Sequence, residues 1–202
     1  MSNPKSMKSL IVILGPTAIG KTSLSIRIAQ QFDTEIISAD SRQFYREMSI
    51  GTAKPSAEEL SAVKHHFIDS HSITEDFSVG DFERQGLALL SDIFKQKDKA
   101  VLAGGSGLYI NAICEGFDEL PKADTAIREQ LNQQFIKEGI GALQAQLYKS
   151  DPDYYNKVDL TNPQRLIRAL EVFLTTGKPF SSYHIKEKKA RPFNIVKIDL
   201  FI

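Results

Sequence analysis

The sequence predicts an α/β fold in which a parallel sheet carries helices on both faces and a helical insertion interrupts the alternation. Three observations indicate it: strand-length apolar runs alternate with helical patterns, a glycine-rich turn joins the first strand to the first helix, and one stretch lacks β-rich runs. The predicted strands lie at 9–14, 34–38, 66–69, 99–103 and 194–201. The predicted helices lie at about 21–32, 57–64, 79–97 and 162–176.

The turn after the first strand reads Gly-Pro-Thr-Ala-Ile-Gly-Lys-Thr, and a helical stretch begins near Lys21. Glycines at both ends of such a turn let successive backbone N–H groups surround an anion, with the positive end of the helix behind them. A lysine and a hydroxyl residue at its end suit a phosphate and Mg²⁺, so this is a P-loop and the fold is P-loop NTPase-like. The predicted diphosphate- or nucleotide-binding residues are Gly15, Pro16, Thr17, Ala18, Ile19, Gly20, Lys21 and Thr22. Lys21 and Thr22 are also catalytic candidates, and Thr22 is the metal candidate.

Helical signals account for much of the remaining chain. Asn162-Pro163 opens a helix, because these residues are typical of an N-cap and a first helical position. Between 117 and 160, apolar residues recur every four positions and no β-rich run appears. We therefore expect a catalytic core formed by 1–116 and 161–202, and a helical insertion domain formed by 117–160.

Composition sets the broad class. The 202 residues include 42% hydrophobic residues, which is enough for a full core. The single cysteine, Cys114, excludes a disulfide framework and favours the cytoplasm, and the first apolar run is too short for a signal peptide or a membrane span.

Charge is unevenly distributed along the chain. Residues 1–120 hold 12 basic and 16 acidic residues, whereas residues 121–191 hold 12 basic and 8 acidic residues, which is compatible with a second half that faces nucleic acid. The basic run of Lys186, Lys188, Lys189 and Arg191 is interpreted as a solvated linker face.

Polar or glycine-rich residues follow three predicted strands, where ligands bind in open α/β sheets. Asp40 follows the second strand and has three interpretations: a magnesium ligand, a general base or a turn former. Asp69 is assigned to structure or to the outer shell of a metal, and the pair His65-His66 lacks a suitably spaced third metal ligand. Gly104-Gly105 either allow the backbone to approach a ligand closely or serve a tight turn.

Six segments, in this order, resemble the tRNA dimethylallyltransferases, the IPP transferase family. They are Gly15-Pro-Thr-Ala-Ile-Gly-Lys-Thr22, Asp40-Ser-Arg-Gln-Phe-Tyr45, Gly51-Thr-Ala-Lys-Pro55, His65-His-Phe-Ile-Asp69, Gly104-Gly-Ser-Gly-Leu-Tyr109 and Asn162-Pro-Gln-Arg-Leu-Ile-Arg-Ala-Leu-Glu171. The sequence departs from the family at Ile19, which is usually serine, and at Ser106, which is usually threonine. Family members continue beyond residue 202, so we expect a C-terminally truncated member.

The resemblance implies transfer of a dimethylallyl group from dimethylallyl diphosphate to N6 of adenosine 37 in tRNAs that read codons beginning with U. The P-loop then holds the leaving diphosphate with Mg²⁺ as cofactor, Asp40 is the general base, and the target adenine is flipped out of its stack. The tRNA contacts implied by position are Asp40, Ser41, Arg42, Gln43, Ser106, Arg128, Gln164, Arg165, Leu166, Ile167 and Arg168. From the residues alone, Arg165 and Arg168 have a second interpretation as the solvated side of a helix.

Two other classes of protein use the same loop. A small-molecule kinase binds ATP there, and an adenine-nucleotide prenyltransferase uses the same prenyl donor with a free nucleotide as acceptor. The helical insertion favours tRNA over a free nucleotide. We expect no membrane partner and a monomeric chain.

Overall fold

The computed structural model describes residues 7–118, 120–122, 124–183 and 188–201. The chain divides into two compact units: Met1–Phe117 with Lys188–Ile202, and Asp118–Glu187. Within the described ranges, no helix is long and apolar enough to cross a membrane.

The first unit is built on a five-stranded sheet in which every pair of neighbouring strands is parallel, as predicted. Its strands are β1 (Ser9–Leu14), β2 (Ile36–Ser38), β3 (His65–His66), β4 (Lys99–Ala103) and β5 (Asn194–Asp199). Their order across the sheet is β3-β2-β4-β1-β5. The chain leaves β1 towards one edge and returns to its other side through β5, so the carboxyl end of β1 lies at the switch point where such sheets bind ligands.

The helices of the first unit are α1 (Lys21–Gln31), α2 (Ala57–Ala62), α3 (Val79–Gln96) and α4 (Gly107–Glu115). Ser56 and Ser78 cap α2 and α3, each accepting a hydrogen bond from the backbone N–H three residues further on. The sequence pattern does not predict α4, because its start reads as a glycine-rich turn. The helix forms there because Ile110 and Ile113 are buried in the core.

Both faces of the sheet are covered, so β1 is buried on both sides. Val12 belongs to a cluster with Phe44 and Phe82 on one face, and Ile13 belongs to a cluster with Ile26 on the other. A strand covered on both faces reads as a continuous apolar run rather than an alternating pattern. This explains the sequence of the first strand.

A buried ion pair lies in the first unit, between α3 and the segment before β5. Arg191 and Glu83 have side chains only 8% and 9% exposed, and their charged atoms lie 2.7 Å apart. Arg191 also donates to the carbonyls of Ala112 and Ile113, at 2.6 and 2.8 Å. The expectation that Arg191 lies on a solvated face is wrong, because its buried guanidinium donates hydrogen bonds to carbonyl groups in the last turn of α4. Lys186 lies outside the described residues.

The second unit is helical. Its helices are α5 (Thr125–Glu138), α6 (Ile140–Ser150), α7 (Pro152–Tyr155) and α8 (Pro163–Thr176), followed by a 3-10 turn at Phe180–Tyr183. Leu131, Leu143 and Leu147 form one buried cluster with Leu166 and Ile167 of α8. Because α8 buries its apolar face in this cluster, the helical unit extends beyond the expected boundary at residue 160.

A fully buried carboxylate organises the second unit. Glu171 on α8 accepts hydrogen bonds from Arg128 Nε at 2.9 Å, from Arg168 Nη1 at 2.7 Å and from the backbone N–H of Asp124 at 2.9 Å. Arg168 also donates to the carbonyl of Pro121 at 2.6 Å. A carboxylate is stable away from water only when it is paired and hydrogen-bonded. Arg128 and Arg168 are therefore structural partners of Glu171.

We expect Glu171→Ala to lower the free energy of unfolding by about 3–5 kcal/mol, the cost of leaving two guanidinium groups without their buried partner. Urea unfolding followed by circular dichroism measures the loss. Glu129→Ala is the matched control, because Glu129 is exposed on α5 and its change should stay within about 0.5 kcal/mol. Equal stabilities of the two variants would contradict the structural role of Glu171.

Candidate active site

The P-loop follows β1, and its last two residues, Lys21 and Thr22, are the first two residues of α1. Gly15 has a φ of +147°, and a Cβ added there would lie 2.8 Å from the carbonyl oxygen of Leu200. Gly20 has a φ of +93° directly before the helix. A residue with a side chain could adopt these backbone conformations only with strain. Ala18, between the two glycines, also has an uncommon positive φ, of +66°. The two glycines singled out in the sequence are therefore required by the backbone path.

Lys21, the first residue of α1, folds back over the loop. Its Nζ donates a hydrogen bond to the carbonyl of Pro16 at 2.6 Å. Burial lowers the pKa of the Lys21 ammonium, and the nearby Asp40 carboxylate partly opposes that shift. Lys21 and Asp40 both line the cavity beside the P-loop.

A cavity of about 290 Å³ opens beside the P-loop. It is lined by Thr17, Ala18, Gly20, Lys21, Thr22, Ser23, Ser25, Ile36, Ser38, Asp40, Gln43, Ala53, Pro55, Glu59, His65, Ala103 and Gly104. The structure thus brings together the predicted catalytic residues, because the carboxyl ends of β1, β2 and β4 meet there. Gly15, Pro16 and Ile19 are not among the residues that line it.

Asp40 leaves the end of β2 into a tight turn. Its Oδ1 accepts a hydrogen bond from the backbone N–H of Arg42 at 3.2 Å, and a Cβ added at Gly105 would lie 3.8 Å from its Oδ2. A Cβ at Gly104 would lie only 2.3 Å from the carbonyl oxygen of Ala39, so the two segments pass at backbone contact distance. Gly104 thus lets its backbone pass close to Ala39, whereas the sequence predicts a close approach to a ligand or a tight turn. The half-buried Asp40 carboxylate lines the cavity.

The other residues of the Asp40 segment have different surroundings. Ser106 Oγ accepts a hydrogen bond from the backbone N–H of Ser41 at 3.0 Å, which joins the segments after β2 and β4. Arg42 is exposed, whereas Gln43 is only 9% exposed. The Gln43 amide is held by Ser38 and by the carbonyls of residues 52 and 53, and Gln43 lines the cavity rather than the outer surface.

The two adjacent histidines point to different partners. His65 Nδ1 lies 2.8 Å from the carbonyl of Val63, while His66 Nε2 lies 2.5 Å from Glu35. His65 Nε2 is buried without a hydrogen-bond partner among the described residues, and burial lowers the pKa of this imidazole. His65 is one of the residues that line the cavity, and burial disfavours the charged form of its ring.

The described residues contain no group of three or more His, Cys, Asp or Glu side chains arranged to hold a metal ion. A P-loop magnesium needs less from the protein, since one hydroxyl and phosphate oxygens supply most of its ligands. The Thr22 hydroxyl and the Asp40 carboxylate both line the cavity and are hard oxygen donors. These residues fit Mg²⁺ in the presence of a diphosphate.

Apart from the two arginines that pair with Glu171, the predicted tRNA contacts of the second unit separate into two groups. Gln164 and Arg165 are exposed in the first turn of α8, whereas Leu166 and Ile167 are 0% and 1% exposed. Leu166 and Ile167 are core residues, so the expectation that they contact tRNA is wrong for their side chains. The apolar spacing along α8 was the signal that distinguishes them.

The fold and the cavity define a P-loop-like α/β protein with a cavity at the switch point of its sheet. The family model described as IPP transferase matches residues 43–201. The chain belongs to the IPP transferase family. The P-loop and Asp40 precede the matched region.

Proteins similar to this chain are named tRNA dimethylallyltransferases. A tRNA dimethylallyltransferase of Christiangramia forsetii is 56% identical over 191 residues, covering 95% of this chain and 63% of the relative. One of Flavobacterium johnsoniae is 50% identical over 200 residues, covering 96% and 65%. The chain thus spans slightly less than two thirds of the length of these relatives.

Two solved structures are similar in fold. A eukaryotic dimethylallyltransferase acting on tRNA matches with a TM-score of 0.76 at 27% identity, covering 96% of this chain and 48% of that one. The tRNA isopentenylpyrophosphate transferase of Bacillus halodurans matches with a TM-score of 0.57 at 38% identity, covering 95% and 59%. The predicted fold class and family are confirmed.

Proposed function

We propose that the full-length protein transfers a dimethylallyl group from dimethylallyl diphosphate to N6 of adenosine 37 in tRNAs that read codons beginning with U. The observation that carries this proposal is the cavity in which Lys21 and Thr22 of the P-loop face the same space as Asp40. It combines an anion site with a carboxylate beside it, the two groups that such a transfer requires. The names of the relatives supply the substrate class.

The P-loop has the task of stabilising a leaving group. As the allylic C–O bond breaks, negative charge develops on the departing diphosphate, and fixed positive groups lower the barrier most effectively. In this proposal Lys21 provides a positive charge, and the loop N–H groups and the Thr17 hydroxyl donate hydrogen bonds to the diphosphate. Mg²⁺ bound to Thr22 would neutralise further charge on the diphosphate.

Asp40 has the task of taking a proton. The exocyclic amine of adenine is a weak nucleophile, and its N–H must be lost as the new C–N bond forms. Asp40 is held at one oxygen by the backbone N–H of Arg42, which fixes the orientation of the carboxylate. Its other oxygen is directed towards Gly105, beside the cavity.

The nucleic-acid part of the proposal rests on the exposed Arg42, Gln164 and Arg165. An adenine must leave its stack to reach a centre inside a cavity, so we propose base flipping. A monomeric, cytoplasmic enzyme is part of the same proposal.

One assay separates the candidates. The full-length protein is incubated with labelled dimethylallyl diphosphate and tRNA, AMP or ATP as acceptor. Label in tRNA supports the proposal, and label in AMP or ATP assigns an adenine-nucleotide prenyltransferase. Transfer of phosphate from ATP without use of the prenyl donor would assign a small-molecule kinase.

We expect tRNA affinity to fall steeply as salt rises, because phosphate contacts release counterions. Arg165→Ala should weaken tRNA binding and reduce the slope of log affinity against log salt by about 1, with the free energy of unfolding kept. Arg128→Ala and Arg168→Ala should lower both the tRNA affinity and the free energy of unfolding, since Glu171 loses a partner in each variant. Filter binding over a salt series measures the slope.

The control for this series is Lys95→Ala, because Lys95 is exposed on α3 of the first unit. Its affinity and salt slope should equal those of the unchanged protein. A salt-insensitive complex, or a silent Arg165→Ala, would remove α8 from the proposed tRNA surface.

A further inference from the structure

Lys54 stands in the Gly51-Thr-Ala-Lys-Pro55 segment, for which the proposed chemistry has no role. Its side chain is only 12% exposed, although lysine is rarely buried without a specific partner. Lys54 is absent from the residues that line the cavity, whereas its neighbours Ala53 and Pro55 are present. The ammonium group therefore acts behind the cavity wall.

The Lys54 ammonium has two partners on two other segments. Nζ donates to the carbonyl of Tyr45 at 2.7 Å and pairs with Asp69 Oδ1 at 2.5 Å. Tyr45 ends the segment that begins at Asp40, and Asp69 ends the segment that begins at His65. One charged group thus joins three of the segments that border the cavity. Hydrogen bonds between charged groups are about twice as strong as neutral ones, which suits such a junction.

Backbone contacts connect the same three segments. The N–H of Asp69 donates to the carbonyl of Gln43 at 3.0 Å, and the N–H of Gln43 donates to the carbonyl of Asp40 at 3.0 Å. The Gln43 amide donates to the carbonyl of Ala53 at 2.9 Å. A displacement of the 51–55 segment is therefore transmitted to the turn that carries Asp40.

The backbone around this junction is under conformational strain. Ala53 and Asp69 have φ values of +48° and +50°, and Phe67 has a φ of +61°. Non-glycine residues adopt this left-handed region only when the surrounding structure imposes it. The contacts of Lys54 and Gln43 supply that constraint.

We propose that Lys54 is a positioning residue of the active site: by joining the Tyr45 carbonyl to Asp69, it holds the turn that carries Asp40 and the cavity wall at Ala53 in one geometry. The inference rests on the proposed prenyl transfer. Lys54 acts through these neighbours and does not touch the diphosphate. This distinguishes it from Lys21, which lines the cavity.

The test compares Lys54→Met with Lys64→Met in the full-length protein. Lys64 is also paired with a carboxylate, Glu35, but its side chain is 66% exposed. We expect Lys54→Met to lower kcat about 10- to 100-fold, because small misplacements of a reacting group have effects of this order. The KM for dimethylallyl diphosphate should change less than about threefold. Lys64→Met should leave both constants unchanged.

Two further variants keep the test decisive if Lys54→Met does not fold. Asp69→Asn should lower kcat in the same way, and Lys54→Arg should recover most of it, because arginine keeps a charged donor. The effects of Lys54→Met and Asp69→Asn should be less than additive when combined, since both remove one interaction.

Four outcomes have distinct meanings. If the unchanged protein does not label tRNA, the proposed function fails, whatever the variants do. If it labels tRNA and Lys54→Met or Asp69→Asn keeps kcat within about threefold of it, the positioning role is wrong, and the last two outcomes are the forms of this result that assign Lys54 another role. A tenfold or larger rise in donor KM with kcat kept would make Lys54 a diphosphate ligand instead. A lower melting temperature with normal kcat would leave Lys54 a purely structural role.

Discussion

Asp40→Asn in the full-length protein is expected to slow prenyl transfer about 10²- to 10⁴-fold, the contribution of a positioned general base. Asparagine has the same shape and keeps an oxygen that can accept the hydrogen bond from the N–H of Arg42. The turn should therefore be preserved while the basic group is lost. Single-turnover measurements with bound donor report the chemical step directly.

Donor binding should be largely kept in this variant, with one electrostatic consequence. The Asp40 carboxylate raises the pKa of Lys21 against the effect of burial, so its removal lowers that pKa further. As the pH is raised, Lys21 should lose its proton earlier in the variant, so donor affinity should begin to fall at a lower pH than in the unchanged protein. Asp92→Asn is the matched control, because Asp92 is exposed on α3. Near-normal turnover of Asp40→Asn would place the base elsewhere and leave Asp40 a turn former.

The alternation of strands and helices was readable because the sheet is parallel and covered on both faces. Strands such as β1 and β4 are buried on both sides, so their sequences are continuous apolar runs of strand length. The P-loop was equally readable, since Gly15 and Gly20 adopt conformations that only glycine adopts without strain. Local sequence determines both features.

Features that depend on distant partners were not readable. The sequence places Arg191 in a basic run, but its guanidinium is buried against Glu83, which is 108 residues away. Arg128 similarly pairs with Glu171 across 43 residues. A charge pattern along the chain reports solvent exposure only where no buried opposite charge is available.

The candidate site divides in the same way. Residues that follow strands, such as Asp40 and Gly104, were found because sheet topology brings strand ends together. Leu166 and Ile167 were placed on the tRNA surface by their position in a motif, although their spacing on α8 predicts a buried face. A motif identifies a segment, whereas the helical period decides which of its residues face outward.

Lys21→Ala is expected to weaken donor binding and to lower the transfer rate by about 10²- to 10³-fold, the effect on rate of removing one fixed donor from a site of developing charge. The loop should keep its conformation, because Gly15 and Gly20 set its path. The Lys21 side chain adds a hydrogen bond to the carbonyl of Pro16. Calorimetric titration with dimethylallyl diphosphate measures the donor, and filter binding measures tRNA. Affinity for tRNA should stay within about threefold, since Lys21 lines the cavity rather than the outer surface.

Thr22→Ala distinguishes charge from metal binding at the same site. It removes one oxygen ligand from a hard cation, so the concentration of Mg²⁺ needed for half-maximal rate should rise, whereas Lys21→Ala should leave it nearly unchanged. Lys95→Ala, on exposed α3, is the control for both. Loss of tRNA affinity as large as the loss of donor affinity in Lys21→Ala would move the diphosphate away from the P-loop. The cavity beside Asp40 would then require a different ligand.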